Sequence, residues 1–116
     1  MKDYAAMSDQ QINQLVGTII SRDGLSIIAS DGNAVIHEYS DCGDFKGICL
    51  GWRVFDPCNN PADAWLIITE YRISIIDLND KEWGCRVEGA HGVMRAINEN
   101  PLRCAMVVFL MMKDGE

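Results

Sequence analysis

Apolar residues Ile12, Leu15, Val16, Ile19 and Ile20 recur at three- and four-residue spacing, the period of one buried helical face. They predict a helix over residues 9–20. Ser8 and Gln11 stand at capping-box spacing in front of it, and Met7 can staple onto Ile12. From Leu25 the pattern shortens to β-rich runs. Residues 25–29 and 34–37 flank the turn signal Ser30-Asp31-Gly32-Asn33, which predicts a hairpin. A polar stretch over 39–47 reads as a loop. Leu50, Trp52 and Val54 then alternate with Gly51, Arg53 and Phe55 and predict a third strand. Residues 73–78 and 83–87, around Asn79-Asp80-Lys81-Glu82, predict a second hairpin. Residues 88–99 read as irregular chain because of Gly89 and Gly92, with Val93, Met94 and Ile97 able to form one helical turn.

Two further helices announce themselves by their starts. Asn60-Pro61 and Asn100-Pro101 each pair a favoured N-cap with the residue favoured at the first helical position. Asp63 falls at the third helical position of the first, where a carboxylate can reach back to the cap and suits the positive end of the helix dipole. That helix should run to about Tyr71. The other continues to Met112 and stops at Lys113-Asp114-Gly115. Apart from Arg103 it is apolar all round, the mark of a buried helix. The shared start is one device used twice, since no wider repeat accompanies it. The sum is an α+β fold in a single domain, residues 1–116: an antiparallel sheet of short strands and hairpins packed against three helices, with a buried C-terminal helix.

Composition places the chain among ordinary globular proteins, with 48% hydrophobic and 23% charged residues. The net charge of −7 narrows the list of partners. Both halves of the chain are acidic and the basic residues are scattered, so direct nucleic-acid binding, which relies on clustered Lys and Arg, is not expected. Residues 23–45 carry Asp23, Asp31, Glu38, Asp41 and Asp44 without a basic residue. This stretch reads either as a solvated surface or as a face that imitates nucleic acid or docks on a basic partner. An odd number of cysteines, five, and an opening without an apolar signal core point to a reducing cytosol. The longest apolar run, Cys104 to Met112, is too short to span a membrane, which needs about 20 residues.

Candidate chemistry is sparse. His37, Cys42, Cys49 and Cys58 are ligands that soft or borderline metals accept, but their spacing lacks the close pairs of structural zinc sites. Buried free thiols packing as small hydrophobes are the plainer reading. His37 sits on a predicted strand and His91 in a Gly-flanked loop, neither in a catalytic motif. No nucleophile elbow or phosphate-binding glycine loop is present. Catalytic and cofactor-binding residues are therefore not assigned, and no cofactor is expected. Trp52, Trp65 and Trp83 are expected in the core; one found exposed would mark a partner surface.

Three blocks carry a family resemblance: Tyr4-x-x-Met7-Ser8-Asp9-x-x-Ile12-Asn13, Phe55-Asp56-Pro57-Cys58-Asn59-Asn60-Pro61-Ala62-Asp63-Ala64-Trp65, and Asn100-Pro101-Leu102-Arg103-x-Ala105-Met106-x-Val108-Phe109-Leu110-Met111-Met112. In order and wording they resemble the NinX-like proteins of lambdoid phages and prophages, and they leave 14–54 and 66–99 uncovered. The resemblance implies a small cytosolic protein from a phage accessory region near recombination functions, and it brings no activity with it. Leu66 stands where the family pattern suggests a proline soon after the tryptophan, which implies a straighter second helix. The expected function is a non-catalytic interaction module in the bacterial cytoplasm that binds a phage or host protein, with a homodimer also open and no membrane contact. Asp56, Asn59, Asp63 and Arg103, with Glu38, Asp41 and Asp44, are its candidate interaction surface. The alternative is a small enzyme or metalloprotein using the Cys and His set.

Overall fold

The computed structural model of the protein describes residues 3–21, 27–30, 33–39 and 49–114, with the side chains of 27–30, 33, 36–39 and 49–52 outside the description. A short 3-10 turn, Tyr4–Ala6, leads into α1 (Asp9–Ser21). There follow β1 (Ile27–Ser30), β2 (Asn33–Tyr39), β3 (Cys49–Phe55), α2 (Pro61–Tyr71), β4 (Ser74–Asp77), β5 (Trp83–Gly89), β6 (Gly92–Asn98) and α3 (Pro101–Asp114). Among the described residues all strand pairing is antiparallel, and the fold is α+β as the pattern predicts. Their strands form two three-stranded sheets, β1-β2-β3 and β4-β5-β6, where the sequence suggested one.

The division follows from α3. It lies on β4, β5 and β6 with one side and meets α1 and α2 with others, while α1 covers β1 and β2. A helix with neighbours on every side must be apolar all round, and Cys104, Ala105, Met106, Val108 and Phe109 are each fully buried. The Phe109 ring lies 5.0 Å from that of Tyr71, and Lys113 Nζ sits 4.7 Å over the Tyr71 ring, closing the C-terminal end of the contact. Ile12, Val16 and Ile20 supply the buried face of α1 at the spacing read from sequence.

The caps form as predicted. Ser8 N–H donates to Gln11 Oε1 (2.9 Å) and Gln11 N–H to Ser8 Oγ (3.1 Å), the reciprocal capping box. Asn60 Oδ1 accepts from Ala62 N–H at 3.0 Å, and Asn100 Oδ1 accepts from Leu102 N–H at 2.9 Å and from Arg103 N–H at 3.3 Å. α2 runs unbroken through Leu66, in line with the missing proline.

Residues 92–98 correct the sequence reading: they form β6, paired with β5 from Trp83↔Asn98 to Gly89↔Gly92. The two glycines bound the hairpin turn, and Gly92 takes φ 123°, a conformation an L side chain resists. A tighter constraint lies between β4 and β5. Asn79, Asp80 and Lys81 all have positive φ (68°, 50° and 65°), held by Leu78 N–H to Glu82 O and Glu82 N–H to Asn79 O, each 3.0 Å. Asn and Asp tolerate this region and Lys does not. Lys81→Gly should therefore raise stability by about 0.5–1 kcal/mol, the relieved strain less the extra entropy of glycine in the unfolded chain. Urea unfolding reads this directly, and a lower midpoint for the variant would refute it.

Candidate functional site

The three helix starts converge. β3 ends at Phe55, and Asp56–Asn60 turns back past the first turn of α1 and the cap of α3. Asn13, buried in α1, donates from Nδ2 to Asp56 Oδ1 at 2.7 Å and accepts Cys58 N–H at 3.2 Å. Asn59 Nδ2 donates to Asp9 Oδ2 at 3.1 Å and to both Asp56 oxygens at 3.2 Å. Asn100, while capping α3, donates from Nδ2 to Cys58 O at 2.6 Å. Arg103 donates from Nη1 to Asp9 Oδ1 (2.6 Å) and from Nη2 to the carbonyls of Tyr4 (3.1 Å) and Met7 (2.6 Å). Burial pushes the Asp9 carboxyl upward, but hydrogen bonds from Asn59 and Arg103 and the Arg103 charge outweigh it and hold Asp9 below its ordinary 3.8.

Of the predicted surface residues, Asp56, Asn59 and Arg103 thus meet at one junction, and each is engaged within the chain. Asp9, Asn13 and Asn100 belong to it as well. All three stand in the sequence blocks that carry the family resemblance, and nothing else in the sequence sets them apart as a group. Asp63 is in a different place. It reaches past the Asn60 cap to the end of β3, where Oδ2 accepts Asp56 N–H at 3.0 Å and Oδ1 pairs with Arg53 Nη2 at 2.8 Å. Among the described residues, no buried side-chain nitrogen or oxygen lacks a hydrogen-bond partner. Groups so fully paired are suited to hold structure.

Cys58 is fully buried, its Sγ 3.9 Å from Asp9 O. Burial pushes the thiol up to about 12, with the Asp9 and Asp56 charges adding to the rise and Arg103 opposing it. A thiol held in that form is a poor nucleophile and a poor ligand. Cys58, Cys85 and Cys104 are free and buried, and among the described residues no three His, Cys, Asp or Glu side chains come together as a metal site would need. His37 and Glu38 lie on β2 and Cys49 on β3, with side chains outside the described residues. Asp23, Asp31, Cys42, Asp41 and Asp44 lie wholly outside them. Among the described residues no helix is long and apolar enough to cross a membrane.

Large apolar side chains also lie open at the surface. Trp65, expected in the core, is 62% exposed on α2 beside Leu66 at 65%. The helix turns Ala64, Ile67 and Ile68 inward at the same spacing, which leaves the indole on the outer side. Trp83 is half-buried, and the side chain of Trp52 is outside the described residues. A groove of about 430 Å³ runs beside α2, lined by Ala62, Leu66 and Thr69 on one flank and Ile20, Arg53 and Phe55 on the other. A second apolar area covers the side of β4-β5-β6 away from α3. Cross-strand pairing puts Ile76, Gly84 and Ile97 in one row and Ser74, Arg86 and Arg95 in the next. Ile97 is 64% and Ile76 49% exposed, while Gly84 is sheltered by Leu78, whose Cδ1 lies 3.1 Å from where a Cβ would stand.

No curated protein matches the chain in sequence. In three dimensions it is similar to a phage protein from Bacillus cereus ATCC 14579, solved as a crystal structure at 2.0 Å. The TM-score is 0.60 at 20% identity, covering 98% of this chain and 93% of that one. Identity at that level speaks for the fold alone, and the shared fold extends through both sheets. The family model described as Bacteriophage P22, NinX matches residues 3–113, including the segments between the three sequence blocks, and the chain belongs to that family.

Proposed function

We propose that this phage protein acts as a non-catalytic interaction module in the bacterial cytoplasm, and that it takes its partner, a phage or host protein, on the outer face of β4-β5-β6. The observation that carries this reading is the exposed apolar set Ile76, Ile97 and Leu78, the last lying over Gly84, beside the cross-strand pair Arg86 and Arg95. Like charges directly opposite each other on a sheet destabilise it. Here Glu88 offsets only one of the two, pairing with Arg86 at 2.8 Å. An otherwise acidic chain thus presents apolar side chains with an excess of arginine at one place. The matching partner offers apolar side chains flanked by carboxylates, a combination of burial and charge pairing that sets both affinity and choice of partner. The junction around Asp9 supports the same reading from the other side, since its polar groups are spent on joining helices.

The test compares wild type with the Ile76→Ser/Ile97→Ser double variant as affinity baits in extracts of phage-infected cells, at low and high salt. Both positions are exposed, so the fold should survive with a change within about 0.5 kcal/mol each, checked by circular dichroism. Wild type should retain a protein that the variant loses, with retention falling as salt rises. Recovery of nothing by wild type, or of the same protein by both baits, would count against the sheet face as the binding surface.

A further inference from the structure

α2 has the sequence of a buried helix and only half of its burial. Ala64, Ile67 and Ile68 face the core, while Ala62, Trp65, Leu66 and Thr69, at the same three- and four-residue spacing, face outward. A helix that is apolar on both sides normally has neighbours on both. We infer that the neighbour on the outer side is a second copy of this chain, with the two α2 helices packed antiparallel across a two-fold axis.

The order of residues along the stripe suits that occupant. An axis passing between Trp65 and Leu66 sets Trp65 of each copy against Leu66 of the other, and Ala62 against Thr69. Large side chains meet at the centre and small ones at the ends, so the helices can approach closely. A two-fold contact requires this kind of self-complementarity. The groove alongside, which Ala62, Leu66 and Thr69 line, receives the indole of the second copy, and Trp in a pocket is a frequent anchor of interfaces.

Charge agrees with the antiparallel direction. Glu70, exposed in the last turn, comes to lie against the first turn of the other α2, where the helix dipole favours a carboxylate. The parallel arrangement would instead bring the two Glu70 side chains together. α2 has 11 residues and is about 16 Å long, so the contact falls short of the roughly 800 Å² per partner typical of a stable complex. The dimer is therefore reversible. The stripe lies on α2, away from the sheet face proposed for the phage or host partner, and the two surfaces can be tested separately.

Sedimentation equilibrium of the full chain from micromolar to millimolar concentration tests the assignment. The weight-average mass of wild type should climb from 12.9 kDa towards twice that value. Leu66→Glu should remain monomeric, the Ile76→Ser/Ile97→Ser variant should associate as wild type does, and Glu70→Gln should weaken association several-fold. If circular dichroism shows Leu66→Glu to be unfolded, Trp65→Ala takes its place with the same expectation. A flat monomer mass for wild type, association that survives both α2 substitutions, or loss of association in the sheet-face variant would overturn the α2 dimer. Tighter association of Glu70→Gln would overturn its antiparallel direction.

Discussion

Phe109→Ala should lower the stability of the protein by about 4 kcal/mol, the range found when a buried phenylalanine is cut to a methyl group. Among the described residues Phe109 is the largest fully buried side chain, on the helix that packs against β4, β5 and β6 on one side and α1 and α2 on others. Its ring packs on Tyr71 at the end of α2, which in turn carries the Lys113 ammonium. Truncation leaves a cavity bordered by several elements, and no single one can shift to fill it without losing contacts elsewhere. Domains of this size have total stabilities of roughly 5–15 kcal/mol, so the variant should be marginal at room temperature. Trp65→Ala removes a larger side chain and should change the stability of dilute protein by no more than about 0.5 kcal/mol, because the indole is mostly in water. Urea unfolding of both variants decides the matter. Equal losses would mean that α2 is turned the other way and α3 is not the centre of the core.

The same contrast shows which parts of the molecule were legible in the sequence. The helices were, because their starts are written in adjacent residues: Ser8 with Gln11, Asn60 with Pro61, Asn100 with Pro101. The buried state of α3 was legible from its composition. β6 was hidden for a physical reason. Its inner residues Met94 and Ala96 are apolar, and so are Val93 and Ile97 on the outer face, so the alternation that marks a half-buried strand is blurred. The glycines that argued against structure there bound its hairpin. Trp65 was misplaced because period alone cannot say which of two apolar stripes on one helix meets the core. The junction at Asp9 was legible only in part: its residues stand in the three blocks of family wording, and Asp56, Asn59 and Arg103 were grouped as one candidate surface, but their pairing comes from the fold across separations of 41 to 99 residues. Asp63 shows the limit of local logic, its position predicting a cap contact while its partners proved to be the end of β3 and Arg53.

Arg103→Ala should cost about 3 kcal/mol, less than Phe109→Ala and by a different route. The side chain is only 12% exposed, and it ties α3 to the Asp9 carboxylate and to two carbonyls of the opening turn. Its loss leaves the Met7 carbonyl without a donor, at about 1–3 kcal/mol if it stays buried, takes one of two donors from the Tyr4 carbonyl, which still accepts the Met7 N–H, and strips Asp9 of its counter-charge. Arg103→Lys should restore less than half, because one ammonium cannot reach acceptors arranged for two guanidinium nitrogens. Acid separates the two contributions. The folded-state Asp9 carboxyl is held below 3.8, so the ionised form favours the fold. That contribution is complete above the ordinary value and disappears as the pH falls through the depressed one. The stability gap between wild type and Arg103→Ala should therefore be constant around neutrality and narrow as the pH approaches about 2, leaving the part due to the carbonyls of Tyr4 and Met7, which do not titrate. Unfolding curves at the two pH values measure the gap, and one that stays constant or widens in acid would show that Arg103 holds α3 through those carbonyls alone.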